Sequence, residues 1–154
     1  MPGGMSVTSE GALSGLFAAY SCRVSPAAID YNGHMNDAAY AAVVSAANEL
    51  FLEALDLSAG YRATGRALYT VEMTIRYLRG VRLDDLLLAE TRLISHDAKR
   101  MRVRTTLRTE HGPPVATGDV LYLHVDAELG RVVAMDTEQL AHLDEVQARH
   151  DSIP

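Results

Sequence analysis

The sequence predicts an α+β domain in which one antiparallel sheet wraps around a long central helix. Three observations carry this. Ala38–Leu57 is apolar almost throughout, rich in Ala and free of Gly and Pro. From Ala67 to Asp126 the hydrophobic pattern changes to that of strands, with turn residues between them. The order along the chain is strand, long helix, four or five strands, terminal helix, and one sheet around one buried helix satisfies that order.

Tyr20–Val24 reads as a short strand closed by Ser25-Pro26, and Ile29–Asn36 as a polar loop around Gly33. The stretch that follows is too long for a strand, since strands rarely pass about 10 residues. It is therefore read as a helix. Its only charges before Asp56 are Glu49 and Glu53, spaced i,i+4 on one face. Asn36 or Asp37 suits its N-cap. A helix apolar almost all round must be buried on most sides. Ala67–Leu78, Leu86–Ser95, Arg100–Thr109 and Val115–Asp126 are the long strand candidates, parted by Arg79-Gly80, His96-Asp97 and Gly112-Pro113-Pro114. Arg alternates with Met101 and Val103 over Arg100–Arg104, the period of a half-exposed strand. Val120–Val125 is more continuously apolar and so more central. Arg131–Met135 reads as a short last strand. Asp136–Arg149 reads as a helix, with Asp136 and Gln139 in capping-box spacing. A single sheet covers only part of the central helix. Edge-to-edge pairing of two chains would extend the core and remove an open strand edge, so a homodimer, or a dimer of dimers, is expected.

With 154 residues the chain fits one domain, read as residues 17–150 behind a loose leader, residues 1–16. That leader lacks the basic start and apolar centre of a secretory signal. Two Phe, seven Tyr and no Trp leave Leu, Val and Ala to build most of the core. No apolar run approaches the roughly 20 residues that span a bilayer, so no membrane partner is expected. Cys22 is the sole cysteine, which excludes an internal disulfide and fits a reducing cytoplasm. A net charge of -6 argues against nucleic acid, whose affinity comes from clustered Lys and Arg. The one basic cluster, Lys99, Arg100, Arg102 and Arg104, suits a small polyanion such as a nucleotide. The six histidines show no metal-ligand spacing with cysteine. There is no GxSxG elbow and no GxGxxG after a strand, so neither a serine hydrolase nor a dinucleotide fold is indicated.

The densest polar cluster is Asp30-Tyr31-Asn32-Gly33-His34-Met35-Asn36-Asp37, directly before the helix. A helix N-terminus offers unpaired N–H groups and the positive end of its dipole. Such donors can hold the oxyanion that forms when a thioester carbonyl is attacked. A carboxylate upstream on the same loop can face the carbonyl and attack it or activate water. Gly33 lets the backbone turn tightly between the two. Polar residues before a helix also serve as plain caps and turns.

Asp30-x-x-Gly33-His34-Met35-Asn36-x-x-x-Tyr40 resembles the motif of hotdog-fold acyl-CoA thioesterases of the 4-hydroxybenzoyl-CoA thioesterase type. That resemblance implies a hotdog fold, Asp30 as nucleophile or base, and the N–H of Asp37 as the oxyanion donor. A narrower likeness, over about Val24 to Met135, is to the betainyl-CoA thioesterases associated with carnitine 3-dehydrogenase. It is carried by Asp30–Met35, Tyr69-Thr70-Val71-Glu72, Ile75-Arg76, Lys99-Arg100 and Leu123-His124-Val125-Asp126. The helix start, Asp37-Ala38-Ala39-Tyr40-Ala41-Ala42-Val43-Val44, is smaller and more apolar than that group leads one to expect. The betainyl-type likeness implies a small acyl group as substrate, CoA as part of that substrate, and no metal or other cofactor.

Several other residues are candidates beside Asp30 and Asp37. His34 is placed to orient the carboxylate or to pin the loop. Asn36 could position water, but suits the N-cap better. Glu49 is the rival carboxylate, because another branch of hotdog thioesterases uses a helical Glu. It falls about three turns into the helix, which points instead to a pocket wall or a dimer interface. Tyr69 and Glu72 offer rings and an anion to a quaternary ammonium acyl group. Lys99, Arg100 and Arg102 are candidate contacts for the CoA phosphates. Two other readings stand beside hydrolysis: a hotdog hydratase or dehydratase using His34 with Asp30 or Glu49, and a non-catalytic acyl-CoA-binding domain.

Overall fold

The computed structural model describes residues 16–154, so nearly all of the leader read from the sequence lies outside the described residues. The elements are β1 (Phe17–Arg23), α1 (Asp37–Ala54), α2 (Ala59–Arg62), β2 (Arg66–Tyr77), β3 (Leu86–His96), β4 (Arg100–Thr109), β5 (Pro114–Asp126), β6 (Arg131–Val132) and α3 (Thr137–Asp151). The sheet runs β1-β3-β4-β5-β2, with every neighbouring pair antiparallel and β6 against the end of β5. The expected architecture of one sheet curled around one long helix is what forms.

Alternation along the strands separates the two faces. On β4, Met101, Val103, Thr105 and Leu107 are buried, while Arg100, Arg102 and Arg104 stand exposed on the convex face. The concave face packs on α1 through Val44, Ala47 and Phe51. Gly118 in β5 lets the helix come this close. A Cβ there would lie 2.6 and 2.7 Å from the two methyl carbons of Val44. A buried polar chain also ties helix to sheet: Thr105 donates to Asn48 Oδ1 at 2.6 Å, and its hydroxyl lies 3.0 Å from that of Thr91.

Several element boundaries differ from the sequence reading, β6 for one ending at Val132 rather than Met135, and those of β1 and α1 have a clear physical reason. β1 begins at Phe17 rather than Tyr20, because Phe17 is a core residue whose ring packs 5.5 Å from that of Phe51. α1 stops at Ala54, short of Leu57. Asp56 takes a left-handed φ of 57°, its N–H reaches Glu53 O, and the N–H of Leu57 reaches Leu52 O at 2.8 Å. This is a Schellman ending, with buried Leu57 against buried Leu52. α2 was not expected, since one turn is too short to leave a periodic signature. The capping box of α3 forms as read, with Asp136 accepting from the Gln139 N–H.

α3 has a definite task. β1 pairs with β3 only from Leu86 to Thr91. Beyond that point His150 Nδ1 accepts the Leu93 N–H at 2.9 Å, and His96 meets Gln147 and Asp144. The helix thus completes the open part of that edge. At the other edge lies β2, which carries half-exposed Tyr69 and Val71 at a bulge between Thr70 and Glu72. The central helix is covered on its sheet side, and exposed along a stripe of Ala38, Ala42, Ser45, Glu49 and Glu53.

Candidate active site

The loop before α1 is a pinned hairpin. Ile29 bridges Met35, the Asp30 N–H donates to His34 O at 2.9 Å, and the Gly33 N–H donates to Asp30 O at 3.0 Å. Gly33 turns the chain at φ 76°, a region glycine enters without strain. Asp30 is half-buried. One of its carboxylate oxygens accepts the Asn32 N–H at 2.8 Å. The other has no hydrogen-bond donor among the described residues and stays available for chemistry.

A second segment backs this loop. The Met35 N–H donates to Val81 O at 2.7 Å. The His34 ring lies so close to Gly80 that a Cβ there would fall 2.8 Å from its Cδ2. His34 is therefore held by packing, and no hydrogen bond joins its ring to Asp30 among the described residues.

The donors of the helix start can be counted one by one. The Ala39 N–H donates to Asn36 Oδ1 at 2.9 Å, and the Ala38 N–H to Asp37 Oδ1 at 2.9 Å. The N–H of Asp37 finds no acceptor among the described residues. It is the one left over to meet a carbonyl oxygen, at the positive end of the helix dipole. Asn36 is the N-cap, and its Nδ2 also donates to Ala28 O at 2.8 Å. Both ends of its amide serve the loop.

Two aromatic rings frame the junction. Tyr40 is only 3% exposed, and its ring meets that of Tyr77 edge-on at 5.1 Å and 85°. Burial pushes the Tyr40 hydroxyl above the usual tyrosine value, and nearby Tyr77 and Asp30 push the same way, so it stays protonated. The Tyr77 hydroxyl donates to Asp37 O at 3.3 Å. Sequence reading did not single out Tyr77. It is the last residue of β2, and nothing local announces that the β2 end meets the α1 start.

The structure brings Asp30, His34, Asn36 and Asp37 together and leaves the other candidates elsewhere in the chain. Tyr69 pairs with Leu123 and Glu72 with Leu121, and those two pair across with Arg100 and Arg102. Directly opposed residues share a face, so all four side chains lie on the convex side, away from α1. Arg100 is paired with Asp97 at 2.7 Å. Arg104 and Arg76 share Asp119, and their guanidiniums hold its carboxyl below the usual carboxylate range. Lys99 sits at the β3–β4 turn, at the end of the sheet opposite the loop. From Arg100 to Arg108 along β4 is about 26 Å, at roughly 3.3 Å per residue. Glu49 is exposed, about 18 Å along α1 from Asp37 at 1.5 Å per residue. Its charge adds to the burial that raises the Tyr122 hydroxyl. Among the described residues no three His, Cys, Asp or Glu side chains are grouped to hold a metal ion, and no helix is long and apolar enough to cross a membrane.

The thioesterase-like superfamily model matches residues 24–143, which include the pinned loop, α1 and the whole of β2 to β5. The chain belongs to the thioesterase-like superfamily. Among relatives of this superfamily member is an L-carnitine dehydrogenase/betainyl-CoA thioesterase of Agrobacterium fabrum. It is 41% identical over 123 residues, covering 80% of this chain and 25% of that protein. The chain thus spans about a quarter of the length of that relative. A betainyl-CoA thioesterase of Pseudomonas aeruginosa is 29% identical over 144 residues, covering 92% of this chain and 91% of that protein. A Staphylococcus aureus protein solved in complex with CoA superposes with a TM-score of 0.83 at 24% identity, covering 90% of this chain and 88% of the other. The sheet curled around α1 is the hotdog fold of this superfamily.

Proposed function

We propose that the chain hydrolyses an acyl-CoA thioester at the junction of the loop and α1. One observation supports this above all. A half-buried carboxylate with a free oxygen, Asp30, and an unclaimed helix N–H, that of Asp37, are set at the two ends of one pinned loop. With the thioester carbonyl oxygen on the Asp37 N–H, negative charge developing on that oxygen is stabilised where it forms. Asp30 then acts in one of two ways. It adds to the carbonyl carbon and expels CoA as the thiolate, leaving an anhydride that water opens to free acid. Or it takes a proton from the water that adds. Both routes consume one water and yield acid plus CoA, with no metal or cofactor beyond the CoA of the substrate.

The relatives' names point to betainyl-CoA or a similarly small polar acyl group. For the CoA phosphates, Arg79 and Arg82 are better placed within one chain than Lys99, Arg100 and Arg102. They flank Gly80-Val81, the segment that backs the loop, and neither guanidinium has a carboxylate partner among the described residues. A homodimer suits the open β2 edge and the small-residue stripe of α1. A monomer in sedimentation velocity at micromolar concentration would count against it. Hydration or dehydration is less well supported, because His34 packs on Gly80 and makes no hydrogen bond to Asp30 among the described residues.

Thiol release separates the readings. Betainyl-, short-chain, medium-chain, aromatic and enoyl-CoA are incubated with the protein, and free CoA is titrated. Turnover is expected to be fastest with betainyl or another small polar acyl group. Loss of the enoyl chromophore without free thiol, or binding of every ester with no turnover, would sink the proposal.

A further inference from the structure

We propose that Tyr77 is the specificity-determining residue of this site, its ring receiving the cationic head of a quaternary-ammonium acyl group. This rests on the thioesterase reading above and says which group selects the acyl portion.

The ring is fixed at two points and open elsewhere. Its hydroxyl is held by Asp37 O at 3.3 Å, and the edge-to-face contact with Tyr40 fixes its plane at 85°. Tyr77 is nevertheless 54% exposed, while Tyr40 behind it is buried. The ring is thus held in place with one side open, beside the helix start. Asp37 touches the ring's hydroxyl through its carbonyl, and Asp30 lies near enough to Tyr40, as Tyr77 does, to raise its hydroxyl. Of the nearest cations in sequence, Arg76 is held by Asp119 at 2.9 Å and Arg79 has Nη1 on Pro114 O at 2.7 Å. Ring and carboxylates together make a seat for a cation that carries methyl groups and cannot donate hydrogen bonds.

Reach supports the same assignment. In a betaine ester the charged nitrogen lies two bonds from the carbonyl carbon, about 2.5 Å away given ordinary bond lengths. With the carbonyl oxygen on the Asp37 N–H, the cation must stay within the immediate neighbourhood of α1's first residue. Cation–π attraction acts within about 6 Å of a ring centroid. Tyr77, whose hydroxyl touches the Asp37 carbonyl, is an exposed ring bordering that neighbourhood. Tyr69 and Glu72, on the convex face, are not within such a reach in the same chain.

The test compares kcat/KM for betainyl-CoA with that for its neutral carbon isostere, 3,3-dimethylbutyryl-CoA. The ratio of the two does not depend on how much of the enzyme is folded, so a partly destabilised variant still reports. Tyr77→Leu is expected to lower the ratio roughly 10-fold, the scale of a partly desolvated cation–π contact. Tyr77→Phe, which keeps the ring and loses the hydroxyl, should hold it within about twofold. If Tyr77→Leu does not fold at all, Tyr77→Met carries the same comparison. An unchanged ratio in the Leu or Met variant overturns the assignment and leaves the thioesterase reading intact. So does a Phe variant that loses as much as Leu, since the hydroxyl's hold on Asp37 would then be what matters. A wild-type protein that hydrolyses neither ester overturns the reading beneath it.

Discussion

Replacing Asp30 by Asn is expected to lower kcat by roughly 100-fold or more while leaving KM little changed. The substitution removes the charge and the basicity but keeps size and an oxygen acceptor. That oxygen can still take the Asn32 N–H, so the hairpin that presents position 30 should survive. The backbone bonds from Asp30 to His34 and Gly33 do not involve the side chain. Nothing on the CoA side of the ester is touched, so binding should persist, and loss confined to the transition state appears in kcat alone. Glu49→Gln is the companion variant, because Glu49 is the rival carboxylate. It should stay near wild type, being about three turns along α1 from the unclaimed N–H. Steady-state thiol release on both variants reads the outcome. Near wild-type kcat in Asp30→Asn together with inactive Glu49→Gln would move the chemistry to the helical carboxylate.

The largest expected effect on stability is at Phe51. Phe51→Ala should cost about 3–5 kcal/mol, the range for emptying a fully buried aromatic site. Phe51 is completely buried and joins three elements. Its ring lies 5.5 Å from that of Phe17 in β1 and stacks at 6.0 Å on His150 in α3, while its own backbone belongs to α1. The rings beside it, Phe17 and His150, are themselves buried, so neither can move far to fill the space. Phe51→Leu refills part of it and should cost clearly less. Urea unfolding with an unchanged m-value measures both. A loss below about 1 kcal/mol for the Ala variant would mean that the three elements are not joined there.

Much of this fold was legible because its signals are periodic. The unbroken apolar stretch reads as a buried helix, and the Arg alternation of β4 by itself assigns that strand's two faces. The Asp136–Gln139 spacing foretold the capping box. What was missed lies where tertiary contact decides. Phe17 joins β1 because Phe51 waits for it, and a non-glycine residue, Asp56, closes α1 in a left-handed conformation. The site followed the same division. Asp30, His34, Asn36 and Asp37 form one continuous segment, so their proximity is written in the chain. Tyr77 and Gly80 meet that segment only through folding; Gly80 was legible as a turn but not as the seat of His34, and no local pattern marks Tyr77. Tyr69 and Glu72 show the converse hazard. Neighbours in sequence to a site-bearing strand end, they lie on the face that strand alternation turns away from α1.

The central claim is that the thioester is cleaved between Asp30 and the start of α1, and a crystal structure of the Asp30→Asn protein with betainyl-CoA bound tests it most directly. The ester carbonyl oxygen should lie about 3 Å from the Asp37 N–H, the distance of an oxyanion donor. Its carbonyl carbon should lie within about 3.5 Å of the side chain at position 30, a near-attack separation. An ester carbonyl seated beside Glu49, or on the convex face near Glu72 and Arg102, with the Asp37 N–H left to solvent, would contradict it.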